Sequence, residues 1–207
     1  MENYNMKSWK NVTLRQAQEL IALDPKNYSE SEYLAYEVDQ LAILLDKDPY
    51  DIETTMSVKE ILEALTEWNF LSELPKEDIT KKVDTFKKNG TRYGLMNFNE
   101  ITLAQMVDIE EYVNLGLVQN IHKIMSVLYL PTKSWNPFTK KYTLKEYEPD
   151  PKREEIFLDM DMEFVYGNLL FFYLIVTTYI KHTRDSLVEE SNQMLTKMMK
   201  MKTKQNQ

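Results

Sequence analysis

Apolar residues recur at helical spacing along most of this chain and at strand spacing over one short stretch. Thr13-Leu-Arg-Gln16 is a capping-box pattern, and Leu14, Ala17, Leu20 and Ile21 follow it on one stripe, so a helix is predicted that stops near Asp24-Pro25. Ser29 with Glu32 opens the next, carrying Leu34, Val38, Leu41, Ala42 and Leu45, and Asp48-Pro49 is expected to end it. Ser57 with Glu60 heads a third, with Ile61, Leu62, Leu65 and Trp68. Thr102 with Gln105 heads a fourth, with Leu103, Met106, Val107 and Val113, and Gly116 breaks or caps it. Leu117 to Leu130 reads as a more apolar helix closed by Pro131.

Residues 80–98 change period. Asn89-Gly90 between short alternating runs is a hairpin signal, because a type I′ turn needs positive φ at both central residues. A two-residue loop puts Lys88 opposite Thr91, Lys87 opposite Arg92 and Phe86 opposite Tyr93. The aromatic pair then shares a face, worth about 0.2–1 kcal/mol, and the hairpin must pack on helices to be stable. Residues 131–151 carry Pro131, Pro137, Pro149 and Pro151 and read as a long loop. From Lys152 to about Met201 the pattern is helical again, with a break expected near Asp159.

The fold expected from these elements is mainly α, a single helical domain over 1–207 with one β-hairpin at about 82–96 and a long C-terminal helix. Within it the pattern separates an acidic helical layer (1–79), the hairpin and central helices (80–130), an aromatic loop (131–151) and the long helix (152–201). No internal repeat is evident.

Charge sharpens this division. Of the 207 residues, 1–79 carry 7 Lys+Arg against 17 Asp+Glu, 80–145 carry 10 against 5, and 146–207 carry 8 against 11, which gives the net −8. Cysteine is absent, so disulfides, thiolate nucleophiles and Cys-ligated metals are excluded. Four glycines leave no room for a glycine-rich phosphate loop, and two histidines, His122 and His182, leave little for imidazole chemistry. The N-terminal residues lack a signal-peptide pattern, and with zero cysteine they lead to the expectation of a reducing cytoplasm.

Each chemically suggestive cluster competes with a plainer explanation. Phe164 to Ile180 contains no charged residue; it would span about 25 Å as a helix, short of the roughly 30 Å hydrocarbon core. A buried central helix is the expectation and a membrane anchor the alternative. Asp159, Asp161 and Glu163, with Glu154 and Glu155 before them, include a D-x-D pair suited to Mg²⁺. Without a phosphate cradle beside them, they are expected to be helix-capping acids. His122, in an apolar helix, is expected to be a core or boundary residue. No nucleophile–base pair, phosphate loop or metal constellation emerges, so neither enzymatic activity nor a cofactor is expected.

The remaining features suit contact with macromolecules. Trp135, Phe138 and Tyr142 alternate with Lys133, Lys140 and Lys141, a mixture found at protein interfaces and on single-strand-binding surfaces. Met194, Met198, Met199 and Met201, among lysines, form an adaptable stripe. The partner-binding candidates are therefore Trp135, Phe138, Tyr142, Met194, Met198 and Met201.

A succession of local patterns resembles a known group of proteins. It comprises Leu41-Ala-Ile-Leu-Leu45 with Asp48-Pro-Tyr-Asp51, the hairpin Lys88-Asn-Gly-Thr-Arg-Tyr93, the run Glu100 to Glu110, and Asn120 to Pro131. A further part is Arg153 to Phe157 with Met162 and Gly167 to Phe172. In order, these resemble small helical morphogenesis proteins of tailed bacteriophages, including tail-assembly-chaperone-like proteins, over about residues 30–175. The resemblance implies a non-enzymatic assembly or structural protein whose partners are other phage structural proteins, with self-association also open. It implies host cytoplasm during assembly, or the virion, as location. The alternatives are a membrane-attached protein anchored by 164–180 and an accessory protein binding single-stranded nucleic acid; neither membrane nor nucleic acid is an expected partner.

Overall fold

The computed structural model describes residues 8–67, 82–169 and 172. The chain falls into two compact units, 1–168 and 169–207. In the first, α1 (Leu14–Ala22), α2 (Tyr33–Leu45), α3 (Pro49–Thr55) and α4 (Val58–Glu67) precede the hairpin β1 (Thr85–Lys88) and β2 (Thr91–Leu95). Then come α5 (Leu103–Asn114), α6 (Ile121–Leu128), β3 (Tyr129–Trp135), β4 (Tyr142–Leu144), α7 (Pro151–Leu158) and a helix starting at 162 (α8).

All four capping-box starts form. Thr13 accepts from Gln16 N and Thr102 from Gln105 N, and in both cases the glutamine side chain accepts from the cap's own N–H. Ser29 pairs in the same way with Glu32, and Ser57 with Glu60. Asp48-Pro49 behaves otherwise than expected. Helix α2 already stops at Leu45, where Asp46 takes a left-handed conformation (φ 51°). Asp48 then caps α3, accepting from Tyr50 N, with Pro49 in the first turn, where a missing N–H costs nothing.

The first core gathers Val12, Ala17, Val38, Leu41, Leu44, Ile52 and Ile61 from the N-terminal helices. It is closed by a backbone clamp: Leu14 N donates to Met160 O at 2.9 Å and Met162 N to Val12 O at 2.8 Å. This clamp sits at the break expected near Asp159, with Asp159 as the C-cap of α7, and separates α7 from α8. Residues 170, 171 and 173–207, including Met194, Met198, Met199 and Met201, lie outside the described residues, as does Trp68.

The fold class departs from a mainly α domain with one hairpin. The strands form a four-stranded antiparallel sheet in the order β1-β2-β3-β4, and the architecture is mixed α/β. The first hairpin has the register its Asn-Gly turn dictates, with Phe86 opposite Tyr93 and Lys87 opposite Arg92. Both turn residues have positive φ, 48° at Asn89 and 78° at Gly90. Tyr93 in turn faces Pro131, and Trp135 faces Tyr142. Two strands thus arise within stretches read as helix end and loop. Pro131 was the misleading residue: it lies inside β3, between two neighbours, where proline is rare, and its carbonyl accepts from Lys145 N at 2.9 Å.

Helix α6 passes into β3 with no intervening residue. The carbonyls a helix end leaves unpaired are each taken by a different element. Arg153 Nε donates to Ser126 O at 2.8 Å, Gln105 Nε2 to Val127 O at 3.3 Å, and Met96 N to Leu128 O at 2.9 Å. Arg153 is 4% exposed, and a second donation, to Glu148 O at 2.7 Å, helps satisfy its guanidinium with backbone oxygens.

The second core lies under the sheet. Phe86 stacks on Tyr93 (5.2 Å) and meets Tyr129, Phe157 and Phe164 edge-on at 5.4, 5.8 and 5.1 Å, the offset and perpendicular arrangements aromatic rings prefer. Buried Asn168 closes this core. Its Oδ1 accepts from Val83 N at 3.1 Å and lies 2.7 Å from the Tyr129 hydroxyl, and its Nδ2 donates to Phe164 O at 2.7 Å. The single hydroxyl hydrogen of Tyr129 is shared between Asn168 Oδ1 and the Val83 carbonyl.

Candidate functional site

The sheet concentrates positive charge. Residues 85–97 and 129–145 contain Lys87, Lys88, Arg92, Lys133, Lys140, Lys141 and Lys145 and no Asp or Glu. Among the described residues, none of these seven cations makes an ion pair. The basic character of the middle third is therefore a property of its strands, whereas α5 carries Asp108, Glu110 and Glu111 and no Lys or Arg.

The outer face of the sheet is set by register. Phe86 and Tyr93 point into the aromatic core, so Lys87 and Arg92 point away from it. An irregularity in β3 between Thr132 and Ser134 inserts Lys133 as an extra residue. Strict alternation would have sent Trp135 to the inner face; the bulge re-aims it outward. There the Arg92 guanidinium lies 3.8 Å from the centroid of the Trp135 ring, a cation–π contact. Trp135 is 36% exposed.

Tyr142 lies on the same face. Its ring crosses Gly94 so closely that a β-carbon there would sit 2.6 Å from Tyr142 Cε2, and its hydroxyl donates to Leu95 O at 2.8 Å. Burial raises the phenol's pKa above its ordinary value. Of the three aromatics singled out in the sequence, Tyr142 is thus chiefly structural.

Phe138 differs: it is 94% exposed. The turn carrying it is built for rigidity. Asn136 Oδ1 accepts from Phe138 N at 2.9 Å and Thr139 N at 3.1 Å, Asn136 N donates to Lys141 O at 2.9 Å, and Lys140 adopts φ 55°. A large apolar side chain is held in water in a turn that also carries Lys140 and Lys141. Arg92 belongs to this surface as well, and its place beside Trp135 could not be read from the sequence because it depends on β2–β3 pairing.

The other candidates have local explanations. Glu155 and Asp159 pair with Arg15 at 3.1 and 3.4 Å, and Glu163 with Lys10 at 3.3 Å, along the backbone clamp. Asp161 accepts from Phe164 N at 2.8 Å, capping α8. Among the described residues no three His, Asp or Glu side chains converge as a metal site would. His122 Nδ1 lies 3.4 Å from Gln18 Nε2, which donates to Val118 O at 2.7 Å; burial lowers the imidazole pKa. Among the described residues no helix is long and apolar enough to cross a membrane; of 164–180, residues 170, 171 and 173–180 lie outside them.

No protein-family model, curated protein or solved structure matches the chain.

Proposed function

We infer that this chain is a non-enzymatic assembly or structural protein of a tailed phage, working through protein–protein contacts made by the outer face of its sheet and the Phe138 turn. The observation that carries this reading is the ordered presentation of Phe138 at one end of the sheet, where the segments 85–97 and 129–145, strands and turns together, carry seven cations and no acid. Exposed aromatics surrounded by polar residues are the anchors of protein interfaces, and a turn already ordered loses little entropy on docking. The resemblance of the pattern over residues 30–175 to phage morphogenesis proteins supplies the context.

Co-purification from phage-infected cells tests the reading, with mass spectrometry identifying what is recovered. The expected result is recovery of phage structural proteins with the wild-type chain and their loss with Phe138→Ala and Trp135→Ala together. Recovery of no structural protein by the wild-type chain would remove the proposal. Stoichiometric presence in purified virions would mark a structural subunit; expression in cells with absence from virions would mark a chaperone.

A further inference from the structure

The cationic hairpins have their electrostatic complement on the same chain. Residues 8–67 carry 5 Lys+Arg against 13 Asp+Glu, a net of −8, whereas the strands and turns of 85–97 and 129–145 carry seven cations and no acid, +7. The shapes correspond as well as the charges. On α4, Val58 and Leu62, one turn apart, are 53% and 47% exposed. They line an open groove of about 580 Å³ together with Lys59, Glu63 and Thr66. Glu63, which lines the groove, is 64% exposed and pairs with Lys59 at 3.6 Å, a solvent-exposed contact that holds it only weakly. Phe138, 94% exposed and flanked by Lys140 and Lys141, is an apolar knob with a cationic collar.

We propose that the partner of the Phe138 turn includes a second copy of this chain, with Phe138 seated between Val58 and Leu62 of α4 in the next molecule and Lys140 and Lys141 facing Glu63. The inference rests on the docking role given above to the same turn and names its occupant. Charge decides among occupants. Outside the two cationic segments the chain is net −15 (−8 minus +7), so a polyanion such as single-stranded nucleic acid meets attraction on the sheet and repulsion from the rest. A second copy meets matched opposite signs. The contact joins two different surfaces, so each pair keeps one free turn and one free groove, and association is head-to-tail and closes only as a ring.

Sedimentation velocity of the full chain over a wide concentration range, at low and at high salt, tests this. The expected result is reversible association at low salt that weakens steeply as salt screens the charges. Phe138→Ala, at a site open to solvent, is expected to weaken it about tenfold with an unchanged circular dichroism spectrum. Lys140→Glu with Lys141→Glu is expected to abolish association, and adding Glu63→Lys, which leaves the Ser57–Glu60 cap intact, is expected to restore it in part. A chain monomeric at every concentration in low salt would overturn the proposal, as would association indifferent to Phe138→Ala or charge reversal without rescue. A monomeric wild type that binds a single-stranded oligonucleotide through Lys140 and Lys141 would overturn it in favour of nucleic acid. If the chain is monomeric while phage structural proteins still co-purify through Phe138, only the self-contact falls; if co-purification fails too, the docking role falls with it.

Discussion

Gln16 and Gln105 perform the same double task at two distant places. Each is the third residue of a helix behind a threonine cap, and each side-chain oxygen accepts from the cap's N–H, at 2.9 Å from Thr13 and 3.0 Å from Thr102. Each then turns its amide nitrogen onto the C-terminal carbonyls of another helix. Gln16 Nε2 donates to Ile43 O at 3.1 Å and Leu44 O at 3.0 Å, and Gln105 Nε2 to Val127 O at 3.3 Å. A glutamate, the commoner partner in a capping box, would serve the first task and fail the second. Gln105→Glu would place a carboxylate against a carbonyl at a site only 3% exposed and is expected to cost about 3 kcal/mol. Gln16→Glu, at a half-buried site, should cost about 1–2 kcal/mol. Urea denaturation of both variants checks the order, and equal small losses would count against the tertiary role of the amides.

Gly94 is predicted to be intolerant for a spatial reason. The β-carbon of alanine there would collide with the ring of Tyr142 and lie 3.0 Å from Leu144 Cδ2. Gly94→Ala should cost about 1–3 kcal/mol. Truncating the obstacle as well, in Gly94→Ala with Tyr142→Ala, should cost less than the sum of the two single changes. Strict additivity in denaturation midpoints would show that the two do not share the contact.

Alkaline pH should act on the sheet core through Tyr129. Burial raises its phenol pKa far above the ordinary value of 10.0. The folded state therefore keeps the proton while the unfolded chain releases it, and stability falls as pH rises past 10. Tyr129→Phe is expected to cost about 1 kcal/mol at neutral pH. The gap to wild type should narrow above pH 10, because the variant lacks the ionisation. Melting temperatures measured across that range give the comparison, and a constant gap would refute it.

Acid should act on His122 with the opposite charge change. Burial lowers its pKa below the ordinary 6.5, so the unfolded chain binds a proton first, and stability falls as pH drops through 6.5 toward the lower folded value. His122→Gln should lose this component and show a flatter stability profile on the acid side. An identical profile for the two proteins would exclude His122 as its source.

How much of this was legible in the sequence depended on how local each determinant is. The four caps and the first hairpin are encoded within a few residues: Ser57 and Glu60 recognise each other across three positions, and Asn89-Gly90 fixes the Phe86–Tyr93 register alone. Strand β3 was not legible, because Tyr129-Leu130 continues the apolar stripe of α6 and Pro131 signals a stop. What makes it a strand is pairing with Gly94 and Leu95, more than thirty residues earlier. The surface around Trp135 was half-legible for the same reason. The residue types were visible, but Arg92 joins them only through that pairing and through the bulge at Lys133.

The direct passage from Leu128 to Tyr129 ties two periodicities together. A helix advances about 100° per residue and a strand about 180°. Inserting one residue at this joint would therefore either rotate the whole of α6 about its axis or exchange the two faces of β3. No loop exists there to absorb the error. The joint acts as a phase lock: the rotational setting of α6, fixed by buried Ile124, Met125 and Leu128, determines which side of the sheet receives Tyr129 and, beyond the bulge, which side receives Trp135.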